Sequence, residues 1–518
     1  MQKKVMAVAV ATALAAPAAV LAQGSSVQIY GAISIAGEYA QAKGADTNGA
    51  PVAGTGGSSV RGGNLGGGYV ATSSLPNVNE PGRTRTQAAG SNFGLRGRED
   101  LGNGLYMGFQ AEAAIALGGI TPASGPSSGT FASWRNSGLW LGGRWGEVGL
   151  GIWDSPFNIN QTTGAGHAAY ANASTTFAAG LLGGGLAAGG AGTISAQDLG
   201  QWCGNNFGQG VNPGTVGALG TAVVAQNTNN SNCFQWAAAF HRRVGNSLWY
   251  QSPTWAGFRG RVQYGATSGS TPNATNDGAN FPSQVKPSLW SAGVSYTLGG
   301  LYAGVGYEQH NDYFTAAVRS LTGAGGGAAT AGCAAGFALG GNSGGVSGSS
   351  PTFACIPVGT ASTNGISGDD SNAWNVNLRY TFGFGLSIGG YYEWVRWKMN
   401  YANAPAAQVG NLSRVTRNAW RVDAAYQLGA HTFGLQYAGA GDVTGTVSNA
   451  SFDGNSTGVN GWILGYAYSL SKRSSVFAYG TIISNDSNAR FNGIVFNGIG
   501  PNAGGDPRYL GVGLRHLF

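Results

Sequence analysis

The chain is expected to be all-β: a 16-stranded antiparallel transmembrane β-barrel with long extracellular loops and short periplasmic turns. Three observations predict this. Apolar and polar residues alternate with period two in segments spread along the whole chain, whereas no long apolar stripe of helical period is found. The connections between these segments alternate strictly between short and long. The last ten residues, Tyr509–Phe518, form a strand that runs to the end of the chain and closes on an aromatic. Such a strand leaves an open sheet edge unless an earlier strand pairs with it.

The first residues are read separately. Lys3 and Lys4 precede an apolar run from Val5 to about Leu14, and Val20-Leu21-Ala22 forms a small-residue cleavage site. Residues 1–22 are therefore expected to be a secretory signal, with the barrel domain over 23–518. The apolar run is short for a membrane-spanning helix, which needs roughly 20 residues. Removing the two lysines takes the 27 basic residues to 25 against 20 acidic, a balance of +5. Charged residues are 9% of the chain and no basic run reaches five, so no nucleic-acid partner is expected.

The first dyad runs through VQIYGAISIAGEY. Val27, Ile29, Ile33, Ile35 and Tyr39 share one face, and Gln28, Tyr30, Ser34 and Glu38 the other. The same pattern returns at Leu105/Met107/Phe109, Phe258/Val262/Tyr264, Trp290/Val294/Tyr296/Leu298, Val376/Leu378/Tyr380/Phe382, Trp420/Val422/Tyr426 and Phe433/Leu435/Tyr437. In the closing strand Leu510, Val512, Leu514, His516 and Phe518 alternate with Tyr509, Gly511, Gly513 and Arg515.

A soluble sandwich also alternates, but it has no reason to gather every long loop at one end. The short links are LGNG at Leu101–Gly104, RWGE at Arg144–Glu147, PTWAG at Pro253–Gly257, LGG at Leu298–Gly300, FGFG at Phe382–Gly385, LGAH at Leu428–His431 and LSKR at Leu470–Arg473. Long links lie near 40–83, 118–133, 154–235, 267–286, 312–371, 400–417, 441–459 and 484–506. Seven short and eight long links imply about 16 strands, an even number that brings both chain ends to one side and leaves an aqueous interior. The closing strand is then expected to pair with Val27–Tyr39. Trp145, Trp153, Trp249, Tyr250, Trp255, Tyr391, Tyr392, Trp394 and Trp397 are expected in interfacial girdles. The uncharged stretch Phe177–Ala196 is read as loop, because its Gly and Ala content suits no spanning helix.

Chemistry-bearing motifs are weak. The strings at Gly125–Gly129 and Gly341–Gly345 fit a nucleophile elbow but neither follows a buried strand nor opens a helix. No phosphate-loop GK[ST] is present, and His167, His241, His310, His431 and His516 show no metal spacing. No enzyme signature, metal or cofactor is expected. Cys203, Cys233, Cys333 and Cys355 lack any CxxC pair. In an exported chain they are expected as nearest-neighbour disulfides, each contributing roughly 3–4 kcal/mol on the chain-entropy model.

The polar face is rich in arginine. Arg96, Arg135, Arg243, Arg259, Arg261, Arg379 and Arg421 are expected to line the interior with Glu112, Glu308 and Asp423. Such a wall draws anions into a water-filled lumen; the plain alternative is a solvated wall whose arginines pair with acids. The link 154–235 is a candidate constriction, and Asp154 and Asp198 are its only acids.

Two motifs and the chain ending carry a family resemblance. Ser91–Leu105 (SNFGLRGREDLGNGL), Asn246–Pro253 (NSLWYQSP) followed by Gly257-Phe258, and Gly513–Phe518 (GLRHLF) resemble the β-proteobacterial type of Gram-negative general porin. The resemblance implies an outer-membrane homotrimer that passes ions and small hydrophilic solutes by passive diffusion, with an inward third loop, a basic wall and an anion preference. It also implies contact with outer-membrane lipid and lipopolysaccharide, and makes Phe518 the assembly signal read by the barrel-assembly machinery. The chain departs from the pattern where the fifth strand usually ends in arginine, since Gly151-Ile152-Trp153-Asp154 places Ile152 there. Three long links are expanded, which keeps open a channel selective for sugars or aromatic compounds, or a barrel serving as a structural or adhesive surface.

Overall fold

The computed structural model describes residues 26–44, 80–87, 91–115, 131–163, 240, 243–265, 288–311, 337–339, 355–357, 370–398, 412–442, 444–447, 458–486 and 504–518. The leader, the cysteine pairing, Phe177–Ala196, Asp198 and the two glycine strings lie outside the described residues.

The strands are β1 (Ser26–Lys43), β2 (Glu80–Gln87), β3 (Asn92–Gly102), β4 (Leu105–Ile115), β5 (Phe131–Trp134), β6 (Ser137–Gly143), β7 (Gly146–Asp154), β8 (Arg243–Gln251), β9 (Phe258–Gly265), β10 (Ser288–Leu298) and β11 (Leu301–Asn311). After the small pair β12 (Phe337–Leu339) and β13 (Cys355–Pro357) come β14 (Asp370–Thr381), β15 (Leu386–Lys398), β16 (Leu412–Leu428), β17 (His431–Ala440), β18 (Thr444–Val447), β19 (Val459–Ser469), β20 (Ser474–Asn485) and β21 (Asp506–Leu517). One helix, α1 (Pro156–Thr162), follows β7.

Nineteen of these segments make one antiparallel sheet. β2 and β3 both pair along β1, β5 and β6 along β4, and β17 and β18 along β16, so 19 − 3 gives 16 strands. The sheet closes. Ala32–Lys43 of β1 pairs with Asp506–Leu517 of β21, with Ile35 opposite Leu514, and Phe518 and Gly31 exchange two backbone hydrogen bonds of 3.1 Å. Closure leaves no barrel edge unpaired at the seam.

All seven short links are tight turns between paired strands. The β3–β4 turn has positive φ at both Asn103 (53°) and Gly104 (77°), the twist that a two-residue hairpin needs and that Asn-Gly supplies.

The two faces divide as the alternation requires. Val27, Ile29, Leu150, Leu248, Leu298, Leu378, Leu464, Leu510, Val512 and Leu514 are exposed on the outer face, while Ser34, Glu38, Gln263, Ser291, Asn375, Asn377 and Gln436 are buried on the inner one. An apolar exterior around a polar interior is stable only where the exterior meets hydrocarbon. Trp145, Trp255 and Tyr392 are exposed, as a girdle requires. Trp153, Trp249 and Tyr391 are not girdle residues. They share the inward face, and Trp249 and Tyr391 are 3% exposed.

Candidate functional site: the inner wall and the inward helix

Past Asp154 the chain turns into the barrel. Ser155 caps α1, its hydroxyl accepting the Asn158 amide at 3.1 Å, and Pro156 begins the helix, where its missing N–H costs nothing. Asp154 holds the bend. Its backbone amide donates to Asn136 Oδ1 at 2.9 Å, its carboxylate accepts from Asn136 and Asn158, and Arg243 Nε stands 3.3 Å away.

The helix lies on the inner faces of β10, β11 and β14. Side chains of the wall meet both its donors and its acceptors. Phe157 N donates to Ser291 Oγ (3.2 Å), while Asn375 donates to Phe157 O (2.9 Å) and Asn377 to Asn160 O (2.6 Å). Arg421 donates to Gln161 O (3.1 Å) and Arg379 to Thr163 O (3.4 Å). The last carbonyls of a helix lack partners within it and carry its negative end, so two guanidiniums there satisfy hydrogen bonds and charge together. Asn160 joins the side chains: it donates to Asn375 Oδ1 at 2.7 Å and accepts the Tyr302 hydroxyl at 3.1 Å.

Glycine makes the close approach possible. A Cβ on Gly304 would lie 2.1 Å from Asn160 Oδ1, and one on Gly306 would lie 2.5 Å from Asn375 Oδ1 and 3.1 Å from the Phe157 Cα. Phe157 and Phe240, both fully buried, meet in a tilted contact with centroids 6.0 Å apart, and Phe240 stacks on His310 at 4.3 Å.

The sequence-predicted arginines all face inward, but they divide into two sets. Arg135 is paired with Glu112, Arg243 with Asp154, and Arg421 with Asp423 at 2.7 Å. Arg96, Arg259, Arg261 and Arg379 have no acid at ion-pair distance among the described residues. Arg96 donates to Gln28 and lies 4.8 Å over the Tyr30 ring, Arg259 donates to Thr254, and Arg379 lies 5.4 Å over Tyr302. Glu112 also accepts the Tyr30 hydroxyl at 2.8 Å.

Two expectations are corrected. Arg421 and Glu308 point inward but are fully buried, so neither meets the water of the lumen. Arg421 lies against α1 and the Tyr391 ring, and Glu308 against His310 at 2.8 Å. The acids are also more numerous than expected. Glu38 binds Arg85 at 2.6 Å and accepts the Tyr479 hydroxyl, and Glu147 accepts the Tyr106 hydroxyl at 2.6 Å.

Sequence reasoning missed Arg85, Arg98, Glu147 and the asparagine seat of α1. It also missed Trp153 and Trp249. The signal for Trp249 was its parity with Ser247 and Gln251, opposite to the exposed Leu248. At the end of β7, where Ile152 replaces the family's arginine, the inward position belongs to Trp153, beside a β-bulge.

Among the described residues no group of three or more His, Cys, Asp or Glu is placed to hold a metal ion. No curated protein matches the chain by sequence. Among solved structures, the anion-selective porin from Comamonas acidovorans is 18% identical, with 96% of this chain and 100% of that one covered and a TM-score of 0.51. The in-vitro folded trimer form of OmpT, an outer membrane protein of Vibrio cholerae, is 13% identical over 96% and 100% of the two chains, with a TM-score of 0.46. OmpF of Salmonella typhi in complex with daunomycin is 11% identical over 96% and 98%, also at 0.46. A model of the Gram-negative porin family matches residues 6–408. With the closed barrel and its apolar belt, that match makes the chain a member of the Gram-negative porin family, an outer-membrane channel.

Proposed function

We propose that the protein is a homotrimeric general porin that passes ions and small hydrophilic solutes with a mild preference for anions. Its third long link, 154–235, narrows the pore. The observation that carries this reading is the seating of Ser155–Thr163 on the inner wall beside arginines without carboxylate partners. Arg96, Arg98, Arg259, Arg261 and Arg379 have no carboxylate at ion-pair distance among the described residues, while Glu112, Asp154 and Asp423 each neutralise an arginine of their own. Uncompensated cations within about a Debye length of the axis, roughly 8–10 Å at ordinary ionic strength, raise the local concentration of anions. Arg421 and Glu308 serve as the bed of the constriction rather than as its water-facing lining.

Phe518 is the assembly signal in this reading, and the apolar belt contacts lipid, with lipopolysaccharide at the outer leaflet. The trimer is supported by the family resemblance of the strands and turns. The test is the reversal potential of single channels in a KCl gradient. Wild type should be anion-selective, and Arg259→Ala with Arg261→Ala should move the potential toward zero. Cation preference, or a reversal potential insensitive to both substitutions, would overturn the proposal.

A further inference from the structure

Three tryptophans from neighbouring strands meet on the inner wall. Trp140 of β6, Trp153 of β7 and Trp249 of β8 have ring centroids 5.6, 6.2 and 5.4 Å apart for the pairs 140–153, 140–249 and 153–249. Glycines let two of the rings lie along the wall: a Cβ on Gly108 would be 2.3 Å from Trp140, and one on Gly149 2.2 Å from Trp249. Trp249 is the floor of the cluster, while Trp140 and Trp153 are only half-buried. The polar interior of a barrel is an unfavourable place to leave aromatic faces in water, and such a patch marks a surface that something apolar covers.

Arg261 completes the cluster. Its guanidinium carbon is 4.7 Å from the Trp249 ring centroid and 5.6 Å from that of Trp153. Nε and Nη2 are buried without a hydrogen-bond partner among the described residues. Buried donors of a charged group are rarely left so, and each calls for a ligand or water. The neighbouring carboxylates are engaged elsewhere: Glu147 by the Tyr106 hydroxyl and Gln251, and Asp154 by Asn136 and Asn158.

We propose that Trp140, Trp153, Trp249 and Arg261 form a binding subsite for planar aromatic monocarboxylates. The ring lies against Trp140 and Trp153, and the carboxylate accepts hydrogen bonds from Arg261. Stacking and charge then act together on one molecule, whereas acetate offers the charge without the ring and a neutral sugar offers no charge. This rests on the part of that reading that leaves the barrel interior accessible to solute, since solute must reach the wall.

The experiment is calorimetric titration of the purified full-length barrel in detergent with benzoate, acetate and methyl glucoside, beside the block of single-channel KCl current by the same compounds. Benzoate should bind at least about tenfold more tightly than the other two, the difference expected of one stacked pair plus its apolar contact. Trp140→Leu and Arg261→Gln should each weaken it about tenfold or more. Arg261→Lys, which keeps the charge and loses the planar fork, provides a second variant should either fail to fold. Benzoate binding no tighter than acetate, methyl glucoside binding more tightly, or wild-type affinity in folded variants would overturn the subsite. Benzoate binding without any ionic current would leave the subsite standing and remove the open-channel reading; current without discrimination would remove the subsite alone.

Discussion

Replacing Asn160 with alanine should loosen the seat of α1 while leaving the barrel intact. The side chain makes two buried hydrogen bonds, to Asn375 Oδ1 at 2.7 Å and from the Tyr302 hydroxyl at 3.1 Å. Losing each bond, with its buried partner left stranded, costs about 1–2 kcal/mol, so the seat weakens by roughly 2–4 kcal/mol. That raises the detached population of the segment by about 30- to 1,000-fold. Detachment is partial, because the bonds to Phe157 O, Asn160 O, Gln161 O and Thr163 O come from wall side chains that the substitution spares. Single-channel recordings should therefore show a higher mean conductance with more open-channel noise. Resistance to thermal unfolding in detergent should stay near wild type, since no interstrand ladder is touched. Gly304→Val perturbs the same contact from the other side, its Cβ falling 2.1 Å from Asn160 Oδ1. If both variants fold and both conduct with the wild-type amplitude and noise, the helix is not what narrows the pore.

The seam offers a second test. Phe518 exchanges two hydrogen bonds with Gly31, and a Cβ on Gly31 would be 2.6 Å from the Phe518 ring. Deleting Phe518 or introducing Gly31→Leu should lower outer-membrane abundance several-fold and leave the conductance of assembled pores unchanged; wild-type levels in both variants would remove the assembly role. A third concerns pH at the outer rim. Partial burial and then the nearby Asp442 raise the Asp486 pKa above the ordinary carboxylate range, against a lowering amide hydrogen bond from Gly458. The folded state thus holds this proton more tightly than the unfolded chain does. Its contribution to stability is present in acid and is lost as pH rises through the raised pKa. The Asp486 amide, which donates to Gly458 O at 3.0 Å, should be better protected from hydrogen exchange near pH 4 than near pH 7 after correction for intrinsic rates. Asp486→Asn should abolish that difference, and a difference that persists in the variant would refute the assignment.

The barrel was legible because each of its determinants is local. The period-two pattern assigns Val27 and Ile29 to one face and Ser34 and Glu38 to the other without any knowledge of neighbours, and the structure exposes the first pair and buries the second. Turn chemistry such as Asn103-Gly104 and the alternation of link lengths then count the strands, and an even count leaves β21 only β1 to close against. The polarity of Arg96, Arg259 and Arg379 follows from the same parity.

Which inward residues meet one another is set by the tertiary fold. Parity places Arg421 and Arg259 on the same face. Gln161, 260 positions away in the chain, accepts from Arg421 and marks its burial under α1, whereas Arg259 stays exposed. Pairing likewise turns on distance: Arg135 finds Glu112 and Arg85 finds Glu38 across strand neighbours, while Arg261 finds two tryptophans. Aromatic composition at strand ends fits a lipid interface as well as an inner wall, and only the face on which Trp153 and Trp249 emerge separates the two. The closed barrel, its polarity and its seam are readable from the residues alone, because periodicity and turns are short-range. The seat of α1 and the pairing of the inner-wall residues come from the tertiary fold, because both arise from contacts between residues far apart in the chain.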